Sequence, residues 1–244
     1  MGIALLTTFS VATRAADKNQ SFSPAQVKQI EQITHDYLVK NPQVLVEAAK
    51  SLQSQQEEQM QTAAMQGIKE NKNQLFNNKL TPTTGNANAA VSVVEFFDYQ
   101  CGHCKQMASA VKKLESNKNV NVIFKELPIF GGMSQVAAEA ALASEKQGKF
   151  VAFHNALFDV QGPLNKDSIF DTAKKVGLNV DQLKKDMNSA DVKNQIQQNF
   201  QLAQNLKLMG TPAFVLTNKA QTQFEFVPGA TSLDNLNVLI KKLQ

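Results

Sequence analysis

The sequence predicts an α/β domain that contains a helical insertion and follows a helical arm. A helical stretch lies between β-like runs at 90–99 and 120–128, which gives the order strand, helix, strand. Helical periodicity continues through residues 133–207, and β-like runs return at 211–218 and 223–229. A strand–helix–strand unit implies a parallel strand pair, so these runs describe a small α/β domain interrupted by helices.

Residues 21–80 carry the signals of a helical arm. Ser23 is placed as an N-cap, Pro24 takes the first helical position, and Gln26 is placed to complete a capping box. Apolar residues then recur at helical spacing, at Val27, Ile30, Ile33 and Tyr37.

A second, longer helix is predicted over residues 43–78. Asn41 and Pro42 repeat the start signal, and the stretch contains no proline and one glycine, Gly67. Its apolar positions are sparse, and at 1.5 Å per residue it would reach roughly 50 Å. A polar helix of that length needs a partner, which is either the main domain or another copy of the chain that pairs through residues 21–80. The other interpretation is a solvated arm.

These patterns divide the chain into regions. Residues 80–90 are rich in Pro, Gly, Asn and Thr, so we place a domain boundary in this loop. The helical region at 17–80 is expected to form a homodimer, with a trimer as the alternative. The α/β domain then covers 81–244, carries its insertion at about 133–207, and ends in a helix at 232–242.

The first residues resemble a secretory signal. An apolar run of about ten residues from Ile3 to Ala12 is followed by small residues up to Ala15 and Ala16. That length suits an export signal and is too short to span a bilayer. We predict a signal at 1–16, partial because no Lys or Arg precedes the apolar run, and a soluble protein exported to the periplasm.

Composition restricts the partners. The 244 residues have a formal net charge of +4 and contain no long Lys/Arg run, so nucleic acid is not expected as a partner. The proportions of hydrophobic residues (43%) and charged residues (19%) are those of an ordinary globular protein with a core.

The chain has two cysteines, and both lie in the segment "QCGHC" at 100–104. Such a pair serves as a metal knuckle, a haem attachment, a structural disulfide or a redox dithiol. Haem attachment needs His after the second cysteine, where this chain has Lys105, and so short a disulfide loop would stabilise the fold weakly. Zinc usually needs four ligands, and the remaining soft ligands are spread at His35, His103 and His154. A redox-active Cys101–Cys104 disulfide, with no metal or other cofactor, is the strongest interpretation.

The position of the pair supports this interpretation. Cys101 ends a predicted strand and starts a predicted helix, where unpaired backbone N–H groups and the helix dipole favour a thiolate. His103 adds a positive charge when it is protonated. Cys104, one turn further on, is expected to be shielded by the helix and to act as the resolving cysteine.

The segment "FFDYQCGHC", followed by a helical insertion and "GTPAFVL", resembles the thioredoxin-fold disulfide oxidoreductases of the bacterial periplasm, the DsbA, DsbC and DsbG group. The resemblance covers residues 90–244 in element order and implies a thioredoxin fold. The segment "YLVKNPQVLVEAAKSLQ" resembles the N-terminal helices of DsbA-like proteins that oligomerise, such as the ScsC type.

The resemblance also implies roles for single residues. Pro212, after Thr211, matches the family's cis-proline, which packs beside the cysteines and presents backbone to the substrate. We include Gly102 with these two as substrate-binding. Glu95 matches the buried acid of DsbA-like proteins, which would lie beneath the pair and pass protons to Cys104.

Two further residues are predicted to support the site or the core. Lys125 is placed in the next strand, where it could pair with Glu95. His154 lies among apolar residues on a predicted helix, so we interpret it as a packed core histidine rather than a catalytic one.

The sequence gives conflicting signals on whether the pair mainly introduces disulfides or rearranges them. The Gly-His dipeptide occurs in eukaryotic protein disulfide isomerase, and Thr before the cis-proline resembles DsbC and DsbG. The surroundings of Glu95 and the N-terminal helices resemble DsbA-like oxidases. We therefore expect an exported thiol–disulfide oxidoreductase that introduces and also rearranges disulfides. Its partners would be unfolded or misoxidised exported proteins and a membrane protein, either a DsbB-like oxidant or a DsbD-like reductant.

Two other functions remain open from the sequence. One is a chaperone-like protein whose helical arm and apolar surface bind unfolded exported chains. The other is a metal-handling dithiol protein that binds copper through Cys101, Cys104 and His103.

Overall fold

A computed structural model of the chain describes residues 22–84, 86 and 88–244. The export signal predicted at 1–16 lies outside the described residues. No helix within the described ranges is both long and apolar enough to cross a bilayer.

The chain forms two compact units, and the first ends at Gln55. It contains helix α1 (Pro24–Lys40) and the first part of helix α2 (Gln43–Glu70). The predicted capping box is present, because the Ser23 hydroxyl accepts a hydrogen bond from the backbone N–H of Gln26 and the Gln26 side chain accepts one from the backbone N–H of Ser23. No residue of α1 is buried.

The second unit covers residues 56–244 and begins before the boundary that the sequence predicts in the loop at 80–90. Ile68 and Leu75 explain the difference, since both are fully buried in a hydrophobic cluster that includes sheet residues of this unit. The end of the helical arm is therefore part of the core that supports the sheet.

The helix predicted over residues 43–78 consists of two helices, α2 and α3 (Lys72–Phe76). Asn71 separates them, and its Nδ2 donates a hydrogen bond to the carbonyl of Gly67 at 2.8 Å. A short amide side chain that bonds to nearby backbone competes with helix continuation. With 28 residues, α2 is roughly 42 Å long.

The sheet of the second unit has four strands in the order β2-β1-β3-β4. They are β1 (Val91–Phe97), β2 (Val120–Glu126), β3 (Ala213–Asn218) and β4 (Phe224–Val227). Strands β1 and β2 are parallel and are connected by helix α4 (Gly102–Glu115), which confirms the predicted strand–helix–strand unit. The other two strand pairs are antiparallel.

Residues 133–207, all of which the structure describes, form the helical insertion between β2 and β3. Its α-helices are α5 (Met133–Ser144), α6 (Phe150–Phe158), α7 (Lys166–Lys175), α8 (Val180–Asp186) and α9 (Ala190–Asn205). The last helix of the chain is α10 (Leu233–Lys242), where the sequence predicts one.

The two faces of the sheet pack against different parts of the chain. Val93, Phe97 and Phe124 belong to a large core cluster with the inserted helices and α4. Val94 and Ile123 belong to a second cluster with the end of the arm. Because side chains alternate along a strand, each residue of β1 and β2 is assigned to one face by its register.

We predict that Gly67→Ala destabilises the second unit. A Cβ at this position would lie 2.5 Å from the backbone oxygen of Asn205, at the end of α9. The helices would have to shift, at a cost of about 1–3 kcal/mol. An unhindered Gly-to-Ala change inside a helix stabilises by about 1 kcal/mol instead.

Urea unfolding of Gly67→Ala measures this difference, with Gln59→Ala at an exposed position of α2 in the same unit as the control. A Gly67→Ala protein at least as stable as the parent would contradict the close approach of α2 and α9.

Candidate active site

Cys101 lies at the junction of a strand and a helix, as the sequence predicts. It is the N-cap of α4, and its backbone N–H donates a hydrogen bond to the carbonyl of Asp98 at 3.1 Å. Its Sγ donates to the carbonyl oxygen of Thr211 at 3.2 Å. Cys101 and Cys104 are both free thiols in this structure. The first thiol therefore lies between the start of a helix and the loop before β3.

Cys104 lies one turn further along α4 and is fully buried. Burial raises the pKa of its thiol far above the usual value, and the nearby Glu95 carboxyl raises it further. The backbone of Asp98 and the side chain of Thr211 lower this pKa to a smaller extent. The Thr211 hydroxyl has no hydrogen-bond partner of good geometry among the described residues, so its effect on the sulfur is weak. Cys104 thus holds its proton strongly.

Glu95 is buried on β1, with 1% of its surface exposed. Burial, together with the charge of Glu115, raises the pKa of the Glu95 carboxyl to about 8. Its Oε2 has no hydrogen-bond partner among the residues that the structure describes. This carboxyl is therefore mostly protonated at neutral pH and is available to exchange a proton.

The predicted pairing of Lys125 with Glu95 is wrong. Lys125 is aligned with Phe96, whereas Glu95 is aligned with Phe124, so the two side chains point to opposite faces of the sheet. The Lys125 Nζ donates to the Gln74 carbonyl at 2.7 Å and to the hydroxyl of Thr81 at 2.8 Å. Burial lowers the pKa of Lys125 to about 8.

A second buried carboxyl, not predicted from the sequence, is Glu126 at the end of β2. Glu126 is 0% exposed and accepts a hydrogen bond at 2.8 Å from the hydroxyl of Tyr99. Burial raises the pKa of Glu126 well above its usual value, although the hydrogen bond from Tyr99 opposes this effect. The sequence contained one signal for it. Side chains alternate between the two faces of a strand, so Glu126 lies on the same face of β2 as Val122 and Phe124.

His154 is a packed core histidine, as the sequence predicts. It is 1% exposed and contacts aromatic rings on several sides, those of Phe97, Tyr99, Phe124, Phe150 and Phe158. Burial lowers the pKa of His154 to about 3, so the ring is neutral at physiological pH. Its Nδ1 lies 3.0 Å from the hydroxyl oxygen of Tyr99, which joins the histidine to Glu126.

The other predicted site residues surround Cys101. The peptide bond between Thr211 and Pro212 is cis, as the resemblance implied. Gly102 is exposed at the first position of α4, and His103 is exposed with its Nδ1 3.3 Å from the Oε1 of Gln106. The structure brings these residues to one end of α4, and their roles in catalysis and substrate binding stay predictions.

One cavity opens beside the cysteine pair, and a larger one opens beside the loop before β3. A cavity of about 260 Å³ lies beside Cys101 and is lined by Tyr99, Phe158 and Pro163 among others. A larger one of about 810 Å³ contains Met209, from the loop that leads to the cis-proline, and further apolar residues such as Phe226. Within the described part of the chain, no three His, Cys, Asp or Glu side chains lie close enough together to hold a metal ion.

We predict that Glu95→Gln stabilises the reduced protein at neutral pH. The carboxyl has a pKa of about 8 in the folded protein and 4.5 ordinarily. The folded state therefore binds more protons between these values, and stability falls as the pH rises from 4.5 to 8. At pH 7 the buried Glu95 carboxyl therefore lowers the free energy of unfolding by about 3 kcal/mol, and this loss vanishes below pH 4.5.

Urea unfolding of the reduced parent and variant at pH 4.5 and 7 measures the effect, with the exposed Glu47→Gln as control. Equal pH dependence in the parent and Glu95→Gln would mean that Glu95 is ionised in the folded protein.

Comparison with known proteins places this arrangement in a family context. The DSBA-like thioredoxin domain family matches residues 92–241, and the copper resistance protein ScsC N-terminal domain matches residues 26–59. The second match covers α1 and the first part of α2, and the first covers the sheet, α4 and the insertion.

The solved structures to which this chain is similar include thioredoxin-like and thiol-disulfide exchange proteins. A thioredoxin-like oxidoreductase from Silicibacter pomeroyi DSS-3 is 38% identical, with a TM-score of 0.65, and the match covers 70% of this chain and 96% of that one. BcfH from Salmonella enterica Typhimurium is 30% identical, with a TM-score of 0.74 and coverage of 90% and 96%. The thiol-disulfide exchange protein alpha-DsbA2 from Wolbachia pipientis is 29% identical, with a TM-score of 0.69 and coverage of 75% and 97%.

The chain also matches part of a longer protein, a Na(+)/H(+) antiporter from Salinispora arenicola. The two are 30% identical over 138 residues, which is 55% of this chain and 21% of the antiporter. The match to the DSBA-like thioredoxin domain, by contrast, extends through most of the second unit and more than half of the chain. This protein therefore belongs to the DSBA-like thioredoxin domain family.

Proposed function

We propose that this protein is a thiol–disulfide oxidoreductase that acts through Cys101 and Cys104. The observation that carries the proposal is the placement of the Cys101 thiol at the start of α4, against the Thr211 carbonyl and next to the cis peptide bond, with Cys104 buried one turn away. The similarity to proteins named for thiol-disulfide exchange supports it.

In the oxidising direction, a substrate thiolate attacks the Sγ of Cys101 in the Cys101–Cys104 disulfide. That disulfide breaks, and both electrons of its bond go to the Cys104 sulfur, which gains a proton. A second substrate thiolate then attacks the substrate sulfur of the mixed disulfide and releases Cys101 as a thiolate. The substrate loses two electrons and the cysteine pair gains them.

The geometry favours attack at Cys101 over Cys104. Cys101 lines the smaller cavity and retains 5% of its surface, whereas Cys104 retains none. A substrate thiolate can therefore reach the Cys101 sulfur, whereas the Cys104 sulfur is closed to it. Burial also raises the pKa of the Cys104 thiol, so this cysteine suits the role of the resolving thiol.

The proposed substrates are unfolded or misoxidised exported proteins, which present cysteines in flexible apolar segments. Gly102, Thr211 and Pro212 would bind the substrate backbone beside Cys101. The cavity of about 810 Å³ adjoins this loop and is lined partly by apolar residues, which suits an apolar segment of such a chain.

Rearrangement of wrong disulfides is the second activity that we propose for the same pair. It needs the reduced form, in which Cys101 attacks a substrate disulfide and Cys104 releases the enzyme if the exchange stalls. The proposed location is the periplasm, where a DsbB-like membrane oxidant would maintain the oxidised form and a DsbD-like reductant the reduced form.

We further propose that the first unit associates with another copy of the chain. Helix α1 buries no residue and exposes a stripe of large apolar side chains, at Val27, Ile30, Ile33 and Tyr37. Such a stripe favours helix-to-helix association. The match of residues 26–59 to the ScsC N-terminal domain covers the same helix.

The cysteine roles predict different outcomes for two variants. Mixed with a peptide that contains a disulfide, Cys104→Ser should accumulate a mixed disulfide, because Cys101 attacks the peptide disulfide and no resolving thiol is present. The other peptide sulfur leaves as a thiolate and takes a proton from water. Cys101→Ser should accumulate none and should oxidise a reduced dithiol peptide at the uncatalysed rate. Mass spectrometry of acid-quenched mixtures detects the adduct. An adduct on Cys104 in the Cys101→Ser protein would contradict the assignment of the attacked sulfur.

The proposed association predicts a change in mass in solution. Ile30→Glu with Ile33→Glu places two charges on the apolar stripe and should yield monomers, whereas Gln32→Glu on the opposite side of α1 should keep the parent's mass. Light scattering after size-exclusion chromatography measures the mass. A parent that is monomeric at 100 µM, or a double variant with the parent's mass, would count against the stripe as the interface.

A further inference from the structure

We propose that Glu126 and Tyr99 connect Glu95 to the cavity beside Cys101, so that the proton gained or lost by Cys104 passes between Glu95 and water in that cavity. The inference rests on the disulfide exchange proposed above. Glu126 and Tyr99 act in this route as positioning residues, since neither contacts the reacting sulfur atoms.

The need for a proton route follows from burial. Cys104 must gain a proton each time it leaves the disulfide, and it must lose that proton each time it attacks. Its side chain is fully buried, and the Glu95 carboxyl that influences it is 1% exposed. Neither group can therefore exchange protons with bulk water directly.

Glu126 is placed to take the proton from Glu95. In the register of β1 and β2, Glu95 is opposite Phe124 and Phe97 is opposite Glu126, so both carboxyls are on one face of adjacent strands and offset by two residues. The charge of Glu95 also raises the pKa of Glu126, which indicates that the two carboxyls are close enough to interact. Each carboxyl also has an Oε2 with no hydrogen-bond partner among the described residues. These two oxygens are not hydrogen-bonded to each other, so one water molecule between them would satisfy both and carry the proton.

Tyr99 both contacts Glu126 and forms part of the cavity lining. Its hydroxyl donates to the Oε1 of Glu126 at 2.8 Å, and Tyr99 lines the cavity of about 260 Å³ together with Cys101. The neutral His154 has its Nδ1 3.0 Å from the same hydroxyl oxygen. With a proton on this Nδ1, His154 donates to Tyr99 and directs the tyrosine proton towards Glu126.

The proton steps balance with the exchange. When a substrate thiolate attacks Cys101, the disulfide breaks and Cys104 leaves as a thiolate. Cys104 takes a proton from the Glu95 carboxyl, and Glu95 regains one from Glu126 through a water molecule between the two carboxyls. Glu126 regains its proton from the Tyr99 hydroxyl, which takes one from water in the cavity. The net result is one proton moved from water to Cys104, and resolution by Cys104 reverses each step.

Every ionisable group that faces Glu126 can affect how the rate of exchange depends on pH. These groups are Glu95, Asp98, Tyr99 and His154. The Asp98 oxygens accept hydrogen bonds from the N–H of Gln100, the N–H of Phe130 and the hydroxyl of Ser134. Asp98 is therefore committed to the surrounding loops and is not a member of the route.

The test is the rate at which the oxidised full-length protein accepts electrons from a dithiol peptide in a single turnover, at about pH 6 and about pH 8. Glu126→Gln should slow this step about tenfold at pH 8 and less at pH 6, because loss of the route matters most where protons are scarce. Glu126→Asp should restore part of the rate. Glu115→Gln is the control, because it removes a carboxyl that also influences Glu95 but accepts its hydrogen bond from Asn155.

The same slowing factor at both pH values in Glu126→Gln, or no slowing, would overturn the proposal. If Glu126→Gln does not fold, Tyr99→Phe removes only the hydroxyl, and it should show the same dependence on pH. A parent protein that does not oxidise the peptide at all would overturn the proposed function, and the proton route would fall with it. An active parent with an unaffected Glu126→Gln overturns the route alone.

Discussion

The alternation of side chains along β1 is the constraint on which the rest of this structure depends. One face of the strand carries Val93, Glu95 and Phe97, and the strand leads directly into the start of α4 at Cys101. The strand therefore positions both the N-terminus of α4 at Cys101 and the buried carboxyl of Glu95. A shift of register by one residue would exchange Glu95 for Phe96 and remove the acid from the site.

Burial of acids on this face lowers the stability of the fold. Each buried oxygen without a partner costs about 1–3 kcal/mol, and Glu95 and Glu126 have one each. The aromatic core around Phe97 and Phe124 offsets this cost by removing large apolar surfaces from water. The same core keeps water away from Cys104. The thiol must gain and lose a proton in each cycle of disulfide exchange. A buried carboxyl next to it, whose raised pKa lets it carry a proton at neutral pH, suits that need.

Patterns within one segment were sufficient to predict much of this site. The start of α4 at Cys101 and the burial of Cys104 follow from the local strand and helix pattern. The buried position of Glu95 and the cis bond before Pro212 follow from the family resemblance. The partner of Lys125 was predicted wrongly because it depends on the register between two strands. The hydrogen bonds of Tyr99 were not predicted, since they join residues 27 and 55 positions away in the chain. The break at Asn71 was missed because an asparagine within a polar helix is not a distinctive signal.

The central claim is that Cys101 and Cys104 form an oxidising redox pair, and its reduction potential tests that claim most directly. The protein would be equilibrated in glutathione buffers of graded ratio, and its free thiols would be trapped and counted. A value between about −120 and −180 mV, the range from DsbA to protein disulfide isomerase, is the result that this account predicts. A value near or below about −270 mV would mean a reductase or an inert disulfide, and it would contradict the account.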